Sequence, residues 1–290
     1  GSFYQLQFSA NGTLAGRTAG RPTLSLVRTT ANGDVSWRQS LDVTQNTAAT
    51  GALAVSDTGP ALVTPATGER GLELTQYGTD GDTVWNRSYD MRASPRSLTA
   101  TDDGFLLSGR LGFSEPWVMR TDASGAVTTN RTFDALEPDS VAGIVPTDDG
   151  FIIAGTYRPA FSESSPWAAK VGTDGVPRWS RVYQTAGSGS VQDVFPTEDG
   201  VTLVATSGYD ESPASTFVGV GEDGTRQFVE SVRGVTRPVF VPGEGRRATI
   251  VGWSSYPRPN ETVSSVVRDV TLPASTGGTA LEPDLRIESG

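Results

Sequence analysis

The sequence contains no histidine and no cysteine, so the side chains it offers for acid–base catalysis are mainly carboxylates. Ser-His-Asp and Cys-His catalysis are therefore excluded, as are zinc sites built from Cys and His. Paired acids occur at Asp102-Asp103, Asp148-Asp149 and Glu198-Asp199. Two carboxyl groups that flank a bond are the machinery of glycoside hydrolysis. The sequence thus leaves a polysaccharide-active enzyme as one hypothesis.

The position of these acid pairs favours a different role. Each pair directly precedes a glycine, where Asp caps the backbone of a tight turn. Recurrence before a turn indicates architecture rather than catalysis, so we assign no catalytic residue and expect a binding protein rather than an enzyme.

Two shorter acidic segments resemble calcium ligands. Asp80-Gly81-Asp82 and Asp122-Ala123-Ser124 offer the hard oxygen atoms that calcium prefers. Their spacing is incomplete beside an EF-hand loop. We therefore expect no metal site and no cofactor, with calcium as the alternative.

Turn glycines recur through nearly the whole chain. One set follows an acidic or polar residue at spacings of 45 to 50 residues: Gly12, Gly59, Gly104, Gly150, Gly200 and Gly245. A second set recurs at spacings of 44 to 50 residues: Gly33, Gly81, Gly125, Gly175 and Gly224. A period near 47 residues predicts a solenoid or a propeller. Helical patterns are nearly absent, which favours a propeller.

Each repeat supplies short alternating strands between these turns. Residues 97–134 give four strands, and 141–183 and 191–232 repeat the pattern. Residues 3–41 and 49–89 are diverged copies, and 238–271 contributes three strands. We predict an all-β fold: a six-bladed β-propeller of four-stranded antiparallel blades, with seven thinner blades as the alternative. Residues 1–272 form one domain in this prediction, and 273–290 form a tail, a linker or a ring-closing segment with a strand near Leu281–Ile287.

Tryptophan follows the second turn glycine by four residues in three repeats: Gly33/Trp37, Gly81/Trp85 and Gly175/Trp179. Thr129 and Phe228 occupy the equivalent positions elsewhere. A ring at the start of the outermost strand is placed to pack across the gap between neighbouring blades. A sugar-stacking or cofactor platform is the alternative interpretation.

The Gly-x-x-x-Trp pattern resembles the tryptophan-docking motif of quinoprotein (PQQ-like) repeats. The fuller pattern, clearest at residues 117–129, 148–155 and 167–179, is similar to repeats in secreted archaeal and bacterial surface proteins. The resemblance covers about residues 3–270 and implies a propeller. Quinoprotein dehydrogenases of this kind have eight longer blades and often a disulfide. This chain is shorter and has no cysteine, so we expect no quinone cofactor.

The charge balance bears on habitat and partners. The chain has a net charge of −10 and a pI near 4.6, and Lys170 is the single lysine beside 22 arginines. Strong acidity with almost no lysine is similar to halophilic archaeal proteins, whose acids maintain a hydrated surface. High genomic GC content is the alternative explanation. An acidic chain lacks the basic face that nucleic acid requires, so we expect no nucleic-acid partner.

Asparagine indicates the location. Four of the six asparagines stand in Asn-x-Ser/Thr triplets, the acceptor sites of N-glycans. These are Asn11, Asn86, Asn130 and Asn260. We predict an extracellular cell-surface glycoprotein. The Gly1-Ser2 start is typical of an expression scar, and we expect that a signal peptide or membrane anchor lies outside this segment.

Loop lengths predict where a partner binds. In a four-stranded blade, the tight first-to-second and third-to-fourth turns lie at one end, the turn end, and the remaining connections lie at the other, the loop end. The long loops are 111–116, 158–166, 208–214 and 254–261. Loops on a rigid scaffold are where binding residues are usually placed. The candidate binding residues are Phe113, Glu115, Tyr157, Arg158, Phe161, Glu163, Tyr209, Asp210, Glu211, Tyr256 and Arg258.

Aromatic side chains interleaved with charges suit a protein or glycan surface. The leading hypothesis is therefore a non-enzymatic binding module on the surface of a halophilic archaeon, whose partner is a surface protein or glycan. The alternatives are an extracellular polysaccharide-active enzyme with carboxylates in a central channel, and a structural component of a surface layer or filament.

Overall fold

The computed structural model describes residues 2–8, 14–19, 23–30, 34–42, 51–66, 71–112, 115–133, 139–159, 163–185, 189–207, 214–233, 236–242, 247–253 and 265–271. All regular structure within these residues is β-strand, arranged in antiparallel sheets. The chain divides into two compact units, residues 1–134 and 135–290.

The first unit contains three four-stranded sheets. The first consists of β1 (Ser2–Phe8), β2 (Leu14–Ala19), β3 (Thr23–Thr29) and β4 (Val35–Asp42), and the second of β5 (Ala52–Ser56), β6 (Gly59–Pro65), β7 (Leu72–Tyr77) and β8 (Thr83–Tyr89). The third consists of β9 (Ala93–Thr101), β10 (Gly104–Leu111), β11 (Glu115–Asp122) and β12 (Val127–Thr132). Strands follow chain order in every sheet.

The second unit contains two four-stranded sheets and one of three strands: β13 (Ser140–Thr147), β14 (Gly150–Tyr157), β15 (Ser165–Gly172) and β16 (Pro177–Val182); β17 (Gly189–Thr197), β18 (Gly200–Ser207), β19 (Ala214–Gly221) and β20 (Arg226–Arg233); β21 (Thr236–Pro242), β22 (Arg247–Trp253) and β23 (Ser265–Thr271).

Glycine makes the tight turns between these strands. At the start of β14, Gly150 has φ +155°, and a Cβ there would overlap the Val171 carbonyl oxygen on β15. Gly224, in the turn before β20, has φ +81°. Both values lie where side chains are disfavoured, so the recurring glycines are required by the backbone. The described members of both sequence sets have positive φ, which fits the tight turns that their spacing predicted.

The middle strands form the cores of the sheets. Strands β10 and β14 read as nearly continuous apolar runs because both of their faces are covered. Trp117 on β11 and Trp167 on β15 are 0% and 1% exposed. Each indole Nε1 donates a hydrogen bond to the next strand, to Asn130 Oδ1 at 2.7 Å and to Ser180 Oγ at 2.9 Å. A buried indole N–H needs such a partner, and the fourth strand supplies it.

Fourth-strand tryptophans join one sheet to the next. A Cβ built on Gly81, Gly125 or Gly224 would lie 2.8 to 2.9 Å from the ring of Trp37, Trp85 or Trp179, respectively. Glycine is therefore what allows each ring to lie on the following sheet. Trp37 Nε1 donates to Thr79 O at 3.0 Å, and Trp179 Nε1 to Glu222 O at 2.9 Å. The predicted packing between neighbouring sheets is confirmed for these three rings.

Tyrosine strengthens two of these joints. Tyr89 Oη donates to Gly125 O at 2.7 Å, and Tyr183 Oη donates to Gly224 O at 3.0 Å. Burial of the two phenols raises the pKa of Tyr183 and raises that of Tyr89 to about 12. Each tyrosine lies four residues after its tryptophan, on or directly after the same fourth strand. That segment therefore contacts the turn of the following sheet with two side chains.

Phe228 takes the place of the fourth-strand tryptophan in β20 and packs on its own sheet rather than on the next one. Its ring covers Gly219 of the same sheet, where a Cβ would overlap the ring carbons. The following sheet, β21–β23, has no described fourth strand and hence no described third-to-fourth turn glycine to cover. A smaller ring that folds back on its own sheet fits that position.

The structure confirms the all-β prediction, the four-stranded antiparallel repeat and the three strands of residues 238–271. Three loops are shorter than predicted, because the hairpin registers continue through Leu111↔Glu115, Tyr157↔Ser165 and Ser207↔Ala214. Glu115 was predicted in a loop and instead begins β11. Residues 281–287, the predicted closing strand, lie outside the described residues.

Candidate functional site

The paired acids lie at the turn end, in the first-to-second turns. Asp103 Oδ2 accepts a hydrogen bond from Arg120 Nη2 at 2.8 Å. Asp149 Oδ1 lies 2.7 Å from Lys170 Nζ. The Asp199 carbonyl accepts from Glu222 N at 3.2 Å. These contacts tie the first turn to the third strand or to the second turn of the same sheet. The acid pairs lie in tight turns, as their position before a glycine predicted.

Acids of the second turns bind their own backbone. Asp122 Oδ1 accepts from Ser124 N at 2.8 Å, Ser124 Oγ at 2.8 Å and Ala126 N at 2.9 Å. The Ser124 hydroxyl, with the two N–H donors, lowers the pKa of Asp122. Asp223 repeats the arrangement with Thr225, whose hydroxyl lowers the Asp223 pKa. In both turns the donors bind the Oδ1 atom of the aspartate.

The two segments that the sequence offered as alternative calcium ligands, Asp80–Asp82 and Asp122–Ser124, both lie in second turns. Asp80 Oδ1 accepts from Asp82 N at 3.1 Å, so both candidate segments are backbone-capping turns. Within the described ranges, no three acidic, His or Cys side chains are grouped to hold a metal ion.

Lys170 links two sheets of the second unit. Its Nζ lies 2.7 Å from Asp149 Oδ1 and 2.9 Å from Glu222 Oε2, a residue of the following sheet. Burial opposes the charge, but the two carboxylates outweigh that effect and raise the pKa of Lys170. Arg28 holds the equivalent position in the first repeat and donates to Thr79 O of the next sheet at 2.6 Å. A cation at this position is therefore a repeated joint.

Four predicted binding residues are described at the loop end. Glu115 and Glu163 are exposed, Arg158 is half exposed, and Tyr157 is half-buried at the end of β14. The other candidates lie outside the described residues: Phe113, Phe161, Tyr209, Asp210, Glu211, Tyr256 and Arg258.

Arg158 makes two described contacts at the loop end. Its Nε donates to Ser164 Oγ at 3.1 Å, and its Nη2 lies 4.0 Å from Asp139 Oδ2. Asp139 is fixed beside it because its backbone N donates to Thr156 O at 2.8 Å. Sequence reasoning missed Asp139 and Ser164. Neither carries a motif, and only the register of β14 with its neighbours brings them to Arg158.

Asp193 is a third residue that sequence reasoning missed. It lies at the β-bulge of β17, and the residues at the same distance before the first turn glycine in β5, β9 and β13 are Ala52, Ser97 and Gly143. Water reaches its side chain, yet protein atoms surround the carboxylate closely. This desolvation raises the pKa of Asp193 to about 6 against an opposing hydrogen bond from Val194 N.

Two of the four glycosylation triplets are described. Asn86 on β8 and Asn130 on β12 are exposed and occupy the same repeat position. Asn86 Nδ2 donates to Thr75 Oγ1 at 2.8 Å, and Asn130 Oδ1 accepts from Trp117. Asn11 and Asn260 lie outside the described residues.

Comparison with solved structures shows the fold class. The β-propeller domain of Cps50 from Myceliophteria thermophila is 14% identical, with 94% of this chain and 87% of that chain covered and a TM-score of 0.52. A protein from Lactobacillus plantarum is 14% identical, with 93% and 85% covered and a TM-score of 0.54. The β-propeller domain of the Trilobed protease from Pyrococcus furiosus, which has an open velcro topology, is 10% identical, with 93% and 82% covered and a TM-score of 0.52.

These likenesses support a β-propeller repeat fold and, at such low identity, nothing beyond the fold. No family model and no curated protein matches the chain. The part of the chain that the structure describes has no helix of the length and hydropathy needed to cross a membrane.

Proposed function

We propose that this chain is a non-enzymatic binding module from the surface of a halophilic archaeon, which recognises a protein or glycan through the loop end. Its sheets act in this proposal as six blades of one propeller, presented outside the cell by an anchor beyond this segment. Glycans at Asn11, Asn86, Asn130 and Asn260 belong to the same proposal.

The difference between the two ends of the sheets carries the proposal. At the turn end, acidic and basic side chains recur from repeat to repeat, and many are hydrogen-bonded within the protein. At the loop end, the exposed charges of Glu115, Arg158 and Glu163 are not part of such a recurring contact. Exposed side chains outside the recurring contacts are the ones available to a partner.

Asp193 favours an enzyme as the second candidate. A carboxyl group with a pKa near 6 is suited to general acid catalysis near neutral pH. First strands line the central channel of a propeller, where the carboxylate hypothesis places its chemistry. A hydrolase would need a second carboxyl group within about 5–10 Å of the first. Release of reducing sugar from acidic polysaccharides, lost in Asp193→Asn, would favour this candidate.

Binding to envelope material tests the leading proposal. Immobilised surface glycoprotein and polysaccharide fractions from a haloarchaeon are the probes, and the wild-type chain should bind at least one of them. Replacing Phe113, Phe161, Tyr209 and Tyr256 by Ala should weaken that binding at least tenfold.

The matched control replaces four exposed valines at or near the fourth strands, Val84, Val127, Val176 and Val229, by Ala. It removes apolar surface away from the loop end and should change affinity less than twofold. Equal losses in both variants, or no binding by the wild type, would reject recognition at the loop end.

Salt tests the halophilic part of the proposal. The melting temperature should rise from low to molar salt, because screening relieves repulsion within a chain of net charge −10. A flat or falling melting temperature across that range would remove this part.

A further inference from the structure

Arg158 occupies a position that does not recur. It lies eight residues after Gly150, and the residues eight after Gly59, Gly104 and Gly200 are Thr67, Gly112 and Gly208. Cations that join sheets do recur, as Arg28 and Lys170 show. The fold is thus built without an arginine at the position of Arg158, and another reason must account for it.

The base of the Arg158 guanidinium is held by a buried partner. Its Nε donates to Ser164 Oγ at 3.1 Å, and Ser164 is only 6% exposed. The Ser164 carbonyl accepts from Gly189 N of the following sheet at 3.0 Å, which fixes the serine between two sheets. The arginine is therefore oriented by rigid strands, while half of its side chain faces water.

The outer edge of the guanidinium lacks a close acceptor among the described residues. Asp139 Oδ2 lies 4.0 Å from Nη2, well beyond the 2.7–2.9 Å of a charge-assisted hydrogen bond. Turn-end arginines differ, since Arg120 and Arg178 reach Asp103 and Asp174 at 2.8 and 2.9 Å. Arg158 is oriented without being neutralised at contact distance.

We propose that Arg158 binds a carboxylate of an acidic polysaccharide, such as a uronic acid residue; this inference rests on the proposed binding function of the loop end. A guanidinium presents two parallel N–H donors that match a carboxylate. An incoming carboxylate at contact distance takes the place that Asp139 fills only loosely.

The surroundings favour a polysaccharide over an acidic protein. Large exposed apolar side chains within the described residues are Val35, Val84, Val127, Val176 and Val229, all on or next to fourth strands. None of these five valines lies on β14 or β15, the strands that adjoin Arg158 and Ser164. Protein interfaces need an apolar or aromatic centre, whereas a hydrated sugar acid needs oriented polar donors.

The test measures equilibrium binding of the full chain to polygalacturonate, with dextran as the neutral polysaccharide and polyglutamate as the acidic polypeptide. Salt at about 1 M screens the general repulsion between an acidic protein and an acidic polymer. Wild-type protein should bind polygalacturonate more tightly than polyglutamate and should not bind dextran. Arg158→Gln should weaken binding about tenfold or more, and Arg158→Lys should also weaken it, because lysine keeps the charge but loses the paired donors.

Arg178→Gln is the matched control. Arg178 is as exposed as Arg158, 49% against 50%, and its loss changes the net charge equally. It should change affinity less than twofold. Ser164→Ala should give a smaller loss than Arg158→Gln, since it removes only the orienting hydrogen bond.

Equal losses for Arg158→Gln and Arg178→Gln would overturn the inference, as would tighter binding of polyglutamate or no binding of polygalacturonate. Parallel measurement on the envelope fractions separates the two claims. Envelope binding that depends on the loop aromatics but not on Arg158 would reject the carboxylate role and leave the proposed function standing.

Discussion

The turn end and the loop end of these sheets use charged side chains differently. At the turn end, Asp122 and Asp223 make the same local hydrogen bonds in different repeats, and Lys170 joins two sheets. At the loop end, Arg158 has no counterpart in the repeat, and the acidic partner it has among the described residues, Asp139, lies 4.0 Å away. Each sheet packs against a similar sheet, so the contacts between sheets recur from repeat to repeat. Positions that make no such contact are free to differ.

Replacing a glycine at each end of the sheets should give the largest difference in stability between the two ends. Gly150→Ala should destabilise the protein by about 3 kcal/mol or more, because its φ of +155° is disfavoured and the new Cβ would overlap the Val171 carbonyl. Gly112, at the loop end, has φ +60°, and a Cβ added there would meet no atom within 4 Å. Gly112→Ala should cost about 1–2 kcal/mol. Urea unfolding measures both, and similar costs would erase the distinction between the two ends.

The tryptophan joints give the second test, a double-mutant cycle. Trp179→Ala should cost about 2 kcal/mol, less than a fully buried ring would, because Trp179 is only half-buried. Gly224→Ala places a methyl 2.9 Å from that ring and should cost more in the wild type than in the Trp179→Ala background. The expected coupling is about 1 kcal/mol, measured by chemical unfolding.

Gly125→Ala is the control for that cycle, since its partner is Trp85 in the other unit. Its cost should be the same with and without Trp179. Zero coupling in the Trp179–Gly224 pair, or equal coupling in the crossed pair, would show that the rings do not act through these glycines.

The smallest expected effect concerns Asp193 and pH. Its folded pKa is raised from 3.8 to about 6, so the unfolded state releases this proton first as pH rises. The protein should therefore lose stability as pH rises from about 4 to about 6 through this group. Asp193→Asn keeps the Val194 hydrogen-bond acceptor and should flatten that part of the profile in thermal melts. An unchanged profile would mean that the group is not desolvated.

Turn chemistry explains why the architecture could be predicted from the sequence. Glycines such as Gly104 and Gly125 are fixed by backbone geometry, and Trp85 stands at a fixed distance from its own turn, so all leave a periodic signal. The contact of Arg158 with Ser164 and Asp139 leaves none, because three separate segments meet there through strand register. The predicted loop boundaries were wrong for the same reason. Glu115 was assigned to a loop, whereas strand register pairs it with Leu111 in the hairpin.

The most direct test of the division between the two ends is a pair of charge-matched triple variants. The loop-end variant carries Glu115→Gln, Arg158→Gln and Glu163→Gln, and the turn-end variant carries Asp102→Asn, Glu198→Gln and Arg178→Gln. All six side chains are exposed, and each variant loses two acids and one arginine. Affinity for the envelope fractions is measured for both. We predict that the loop-end variant loses at least tenfold and the turn-end variant less than twofold; equal losses, or the reverse order, would contradict the account.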